Sequence, residues 1–204
     1  MTRKDERMGA PSGEFLPAYF EQYRELLFDG AAHPRIEAFA ALAAELRDRG
    51  GKLIFAGNGA SASLAEHGAV DFTKQGGVRG VTFHDPNLIT CFANDFGYDR
   101  WMAEALKRHA DPSDAVVLIS VSGASPSVVN AAREAREHGL TVVAFTGRSP
   151  DNALRRLADI DFYAPSEAYN VVENIHAIWL TAEVDLLIGA SIYETRAPGV
   201  AAES

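Results

Sequence analysis

The chain has 204 residues, 47% of them hydrophobic and 23% charged, with a formal net charge of −9 at pH 7. That length and balance suit one globular domain with a real core, and the acidic surplus excludes a nucleic-acid surface, which needs clustered Lys and Arg against phosphates. Cys91 is the only cysteine, so no internal disulfide can form, which fits a reducing compartment.

Residues 1–13 are polar, contain Gly9, Pro11 and Gly13, and read as a loose tail without the apolar run of a signal peptide. Over 15–28, Phe15, Leu16, Tyr19, Phe20, Tyr23, Leu26 and Leu27 recur at helical spacing. This aromatic-rich helix reads as a packing face, toward the core or toward another subunit. A second helix is predicted over 35–49, with Ile36, Phe39, Leu42 and Leu46 on one face and Gly50-Gly51 as its stop. Leu53 to Ala56 reads as a buried strand that ends at Gly57-Asn58-Gly59, and a helix follows over 61–73.

Residues 80–83 suggest a short strand, 84–97 a loop with a short helix inside it, and 98–109 a helix striped by Trp101, Met102, Ala105 and Leu106. The clearest buried strand is 115–120, which runs into a serine-rich turn over 120–127 and a helix over 125–138. A strand over 141–146, a turn over 147–152, a short helix over 153–158 and a last strand over 160–163 come next. The final helix is predicted over 170–191, before a second loose tail over 193–204. Glu183 and Asp185 interrupt the longest apolar stretch, so none reaches membrane-spanning length. A soluble, cytoplasmic protein with neither membrane nor nucleic acid as partner is expected.

Short strands alternating with helices are the mark of a parallel sheet covered on both faces. The expected fold is α/β: a three-layer α/β/α sandwich around a five-stranded parallel sheet, with N-terminal helices over 14–50 and the α/β core over 51–192, all one domain. Ligands in such sheets bind beyond the C-terminal strand ends, and both hydroxyl-bearing turns sit at such ends.

At the first turn, glycines let the backbone approach a ligand, and a helix start leaves N–H groups without intrahelical partners. At the second, Ser120, Ser122, Ser125 and Ser127 surround one glycine before a helix. Hydroxyls and N–H groups together can hold a phosphate without lysine or metal. The plainer alternative is that Ser125 caps the helix and the others decorate a loop, although capping needs only one of them. No Gly-Lys-Ser/Thr follows either turn, and Gly57-Asn58-Gly59 lacks the third glycine of a dinucleotide fingerprint. A phosphate monoester is therefore the expected ligand, and no nucleotide cofactor is expected.

His67 and Asp71 stand at i and i+4 on the helix after the first turn and share a face, either as a surface pair or as part of a site. Glu66 points elsewhere. Glu173, His176 and Thr181 interrupt the otherwise apolar final helix, with Glu173 and Thr181 on one face. A carboxylate on such a helix is costly unless paired or functional.

In order along the chain, Gly57-Asn-Gly-Ala-Ser61, His67-x-x-x-Asp71, Cys91-Phe-Ala-Asn-Asp-Phe-Gly97 and Ser120-Val-Ser-Gly-Ala-Ser125 resemble the sugar-isomerase (SIS) family. Within it they look most like the phosphoheptose isomerases, which convert sedoheptulose 7-phosphate to a heptose 7-phosphate. The resemblance covers nearly the whole chain. It implies Asn58, Gly59, Ser61, Ser120, Ser122 and Ser125 as substrate contacts, Asp95 near the substrate hydroxyls, and a homotetramer with sites between subunits. Some members bind zinc through the positions occupied here by His67, Asp71, Glu173 and Thr181.

Two departures stand out. The family has Glu where this chain has Asp71, and on the last helix it has Gln and a catalytic His where this chain has Glu173 and Thr181. Threonine is no base near pH 7 and not a usual zinc ligand. His176 matches another family position.

Moving a carbonyl between C1 and C2 needs a base for a carbon-bound proton and a group that shuttles a hydroxyl proton. Glu173 and Asp71 can divide those roles, or hold a metal together with His67. The expectation is a ketose–aldose phosphate isomerase working through an enediol. The alternative is a non-catalytic SIS protein that binds a phosphosugar or a partner such as a replication initiator.

Overall fold

The computed structural model describes residues 13–193, so the two expected tails fall almost wholly outside the described residues. Five strands, β1 (Lys52–Gly57), β2 (Arg79–Thr82), β3 (Ala115–Ser120), β4 (Thr141–Gly147) and β5 (Ile160–Ala164), form one parallel sheet in the order β2-β1-β3-β4-β5. The register aligns Phe55 with Val117, Val117 with Val143 and Val143 with Ile160. The helices are α1 (Phe15–Leu27), α2 (His33–Arg49), α3 (Ala60–Lys74), α4 (Pro86–Phe96), α5 (Trp101–His109), α6 (Pro126–Glu137) and α7 (Tyr169–Ile188).

Because side chains alternate along a strand, each central strand feeds two cores. Leu53, Phe55, Val117, Ile119, Val143 and Phe145 pack with Phe39 of α2, Phe72 of α3 and Trp179 of α7. Ile54, Ala56, Val116, Leu118, Val142 and Ala144 pack with Trp101, Met102 and Leu106 of α5 and Val128 and Ala132 of α6. The expected three-layer sandwich is the one formed. From β1 the chain leaves through α3 on the first face toward β2. From β3 it leaves through α6 on the second face toward β4. The C-terminal ends of β1 and β3 are therefore neighbours from which the chain departs in opposite directions, the crevice where open α/β sheets bind ligands.

Three boundaries differ from the sequence expectation, one of them the helix expected over 98–109, which starts only at Trp101. Most of 84–97 is helix, not loop. Asp85 starts α4 by accepting the Asn87 and Leu88 N–H groups at 2.9 and 3.1 Å, and Pro86 occupies its first turn. The last helix stops at Ile188 because Gly189 adopts a left-handed φ of 73° and turns its N–H and that of Ala190 back onto the helix.

The inner face of α7 carries two ionisable groups with no exposure at all, His176 and Glu183. His176 sets Nε2 3.0 Å from the Thr146 carbonyl, so Nε2 carries the proton and donates, while burial pushes the imidazole down to about 4. Neither Glu183 carboxyl oxygen has a hydrogen-bond partner among the described residues, and burial drives its pKa well above the ordinary carboxylate value. Glu183 is thus a neutral acid in the native core.

A group that binds its proton more tightly when folded stabilises below its unfolded pKa and loses that contribution as pH rises through the folded value. Glu183→Leu is therefore expected to raise unfolding stability at pH 7.5 by about 1–3 kcal/mol. The gain should shrink toward pH 4.5, where unfolded Glu also becomes protonated. Urea unfolding curves at the two pH values measure the difference.

Candidate active site

The first wall of the site is the β1–α3 turn. A Cβ on Gly57 would lie 2.7 Å from the backbone carbonyl of Ser61, so only glycine lets the first turn of α3 sit on the strand end. Gly59 stands before the helix at φ 58°, and no side chain caps α3. The pairing of β1 with β2 stops at Phe55 and Thr82, two residues short of Gly57. The His84 side chain fills the gap, its Nε2 lying 3.2 Å from the Gly57 carbonyl oxygen and 3.4 Å from its nitrogen. Burial lowers the His84 pKa, with Glu66 partly opposing at 3.7 Å. A neutral imidazole thus stands in for the missing strand residue.

The second wall is the β3–α6 turn. Gly123, at φ 59°, donates its N–H to the Ser120 carbonyl at 2.9 Å, and Ser122 Oγ accepts the Ala124 N–H at 3.2 Å. Ser125 precedes α6 but does not cap it with its side chain, contrary to the sequence expectation. Its hydroxyl lies instead 3.4 Å from that of Ser120. Two helix starts without side-chain caps therefore border the same space.

That space is a cavity of about 320 Å³, lined by Asn58, Gly59 and Ser61 of the first turn, Ser120, Ser122 and Ser125 of the second, and Tyr169 and Glu173 from α7. Asn58 ties its walls together, donating through Nδ2 to Ser127 Oγ at 3.0 Å and accepting from the Tyr98 hydroxyl at 3.1 Å. It lines the cavity, but both ends of its amide are already engaged. Among the described residues, Glu173 is the only carboxylate in the lining, and no Lys or Arg is part of it. Uncapped N–H groups, hydroxyls and one carboxylate suit an anion with a polyhydroxylated body.

Other expected residues lie outside this lining. Asp71 and His67 close on each other at 2.9 Å on α3. Asp95 sits on the exposed side of α4, accepting from the Asn94 amide at 2.9 Å. Thr181 is exposed and donates its hydroxyl back to the Ala177 carbonyl at 3.0 Å. Among the described residues, no three His, Cys, Asp or Glu side chains group closely enough to hold a metal. With a back-bonded threonine at the fourth position as well, the donors of one chain do not fit the zinc that the resemblance implies. Sequence reading missed Tyr98, His84 and Tyr169. Each acts through contacts with residues far away in sequence, which local periodicity does not report.

The profile of the SIS domain family matches residues 18–147. A phosphoheptose isomerase of Solidesulfovibrio magneticus is 35% identical over 165 residues, covering 78% of this chain and 76% of the relative. The chain belongs to the SIS domain family. Among SIS proteins, the phosphoheptose isomerase of Mycobacterium tuberculosis is 36% identical over 144 residues, covering 65% of this chain and 70% of that one. The solved structure of the Neisseria gonorrhoeae phosphoheptose isomerase superposes with a TM-score of 0.78 at 25% identity, covering 87% of this chain and 98% of its own. This SIS chain thus falls in the phosphoheptose isomerase-like branch.

Gly57→Ala forces a Cβ into the Ser61 backbone. It is expected to cost about 1–3 kcal/mol of stability and to weaken binding of inorganic phosphate at least about tenfold, as α3's first turn shifts. Thermal unfolding and phosphate titration calorimetry read the two effects.

Proposed function

We propose that this protein is a phosphosugar isomerase that interconverts a ketose phosphate and an aldose phosphate of the sedoheptulose 7-phosphate type through an enediol. The observation that carries the reading is Glu173, a lone carboxylate facing a cavity whose other polar groups are hydroxyls and helix-start N–H groups. The phosphate lies against Ser120, Ser122, Ser125 and the turn from Asn58 to Ser61. The hydroxylated chain then extends toward α7.

In the reaction Glu173 takes a proton from C1 of the ketose as the C2 carbonyl oxygen gains one, which gives the enediol. Return of a proton to C2, with loss of the O1 proton, leaves the aldose. No net oxidation occurs. Asp71, oriented by His67, is assigned the hydroxyl-proton shuttle in an assembled homotetramer, where a neighbouring subunit completes the site. Exposed apolar side chains on α1 (Phe15, Leu16 and Phe20), α3 (Val70) and α7 (Ile178 and Leu186) support burial against further copies. A single cysteine and a sugar-phosphate substrate support a cytoplasmic setting.

Thr181 favours a second reading, since the family's catalytic His is absent there and the threonine hydroxyl is turned onto its own helix. In that reading the chain binds a phosphosugar without converting it.

Assays with C5 to C8 sugar phosphates, with and without chelator, separate the two. Glu173→Gln is expected to lower turnover about 10²- to 10⁴-fold while sugar phosphate still binds, and Asp71→Asn is expected to lower it less. Unchanged turnover in both variants would show that the roles are misassigned. Tight binding without turnover by the unmodified protein would establish the binder.

A further inference from the structure

Among the described residues, Arg148 is the only non-glycine residue with positive φ, at 55°. That conformation is strained for an L residue and persists where the surroundings impose it, often beside ligands. Here they do impose it. The Arg148 N–H donates to the Ser166 carbonyl at 3.1 Å, and its carbonyl accepts the Tyr163 hydroxyl at 2.7 Å. The preceding residue, Gly147, donates its N–H at 2.9 Å to the carbonyl of Val121, which lines the cavity. The side chain therefore starts from a fixed point at the cavity's edge.

Its guanidinium lies 5.7 Å from the ring centre of Tyr169, itself part of the cavity lining beside Glu173. Arg148 Nε also meets the Glu167 carboxylate at 2.7 Å, in a pair whose side chains are 42% and 73% exposed. A pair so open to water contributes little and is readily exchanged for a better anion. The cavity supplies reason for that exchange. Among the described residues its lining has a carboxylate and no cation, and the whole chain carries −9. A phosphate monoester near pH 7 bears a charge of about −1.5 to −2, whereas a helix start offers only about half a positive charge.

We propose that Arg148 is a substrate-binding residue that leaves Glu167, stays stacked on Tyr169 and pairs with the sugar's phosphate group, selecting phosphorylated over neutral sugars. This rests on the isomerase reading. Guanidinium geometry suits two phosphate oxygens at once, and the guanidinium lies over the ring of Tyr169, a residue of the cavity lining.

The test compares the full chain with Arg148→Gln, Arg148→Gly and Glu167→Gln, by calorimetric titration with sedoheptulose 7-phosphate, inorganic phosphate and unphosphorylated sedoheptulose, and by isomerase kinetics. Arg148→Gln should weaken both phosphate-bearing ligands about 10- to 100-fold and leave the neutral sugar's affinity alone. KM should rise more than kcat falls. Arg148→Gly relieves the strained backbone, so it should unfold at a higher temperature than Arg148→Gln yet lose phosphate affinity equally, which a purely structural role would not produce. Glu167→Gln should tighten phosphate binding. Wild-type phosphate affinity in Arg148→Gln, with the parent chain still an active isomerase, overturns this assignment alone. A parent chain that neither binds nor converts any sugar phosphate overturns the isomerase reading and this inference with it.

Discussion

The contact between Gly57 and the first turn of α3 is the constraint on which the rest of the site depends. With no side chain at Gly57, the Ser61 backbone can rest on the strand end, so α3 begins immediately above β1. That position brings its N-terminus level with the serine turn leaving β3. The sheet order places those two strand ends side by side, and the opposite departures of α3 and α6 open the crevice between them. His84 completes the arrangement by setting one ring nitrogen, Nε2, against the Gly57 backbone that β2 is too short to reach. The Asn58 amide then ties the first turn to α6 and to the segment before α5. The cavity is thus framed by backbone geometry, and its side chains supply the chemistry.

Glu173 gives that frame its one carboxylate among the described residues. It projects from α7, a helix held by its apolar residues against both α2 and the sheet, so the carboxylate is set by core packing and not by a loop. Two departures from the expected family pattern lie outside the cavity lining. Asp71 is shorter than glutamate and turned toward His67, and Thr181 binds its own helix. Residues of the two turns and of α7 thus meet at one cavity from different parts of the fold.

Most of the architecture was legible in the sequence because it follows from local periodicity. Four to seven apolar residues closed by glycine or serine can do little but form buried parallel strands. The glycine and serine turns were legible for the same reason, and both line the cavity as expected. What local pattern could not carry was the direction of a side chain. Ser125 has the residue type and position of a helix cap, yet its hydroxyl faces Ser120, because another strand's turn lies within reach. Asp85-Pro86 held the start signal for α4, although the segment reads as a loop with a short helix inside it. His84 and Arg148 owe their positions to residues distant in sequence, so nothing in their own neighbourhoods announced them.

The paired burial of His176 and Glu183 makes the proton itself a reactant in folding. At neutral pH the unfolded chain has an ionised Glu183 and a neutral His176, so assembling the core takes up one proton from the buffer. Between roughly pH 4.5 and 6.5 the unfolded chain holds its proton on the imidazole and the native chain holds one on the carboxyl. Within this pair, folding there moves a proton from one residue to the other, seven positions apart on the same helix, while burial of His84 favours release of another. The heat of unfolding should therefore depend on the buffer's ionisation enthalpy with opposite sign in the two ranges, since unfolding releases the Glu183 proton above the window and His84 takes one up inside it.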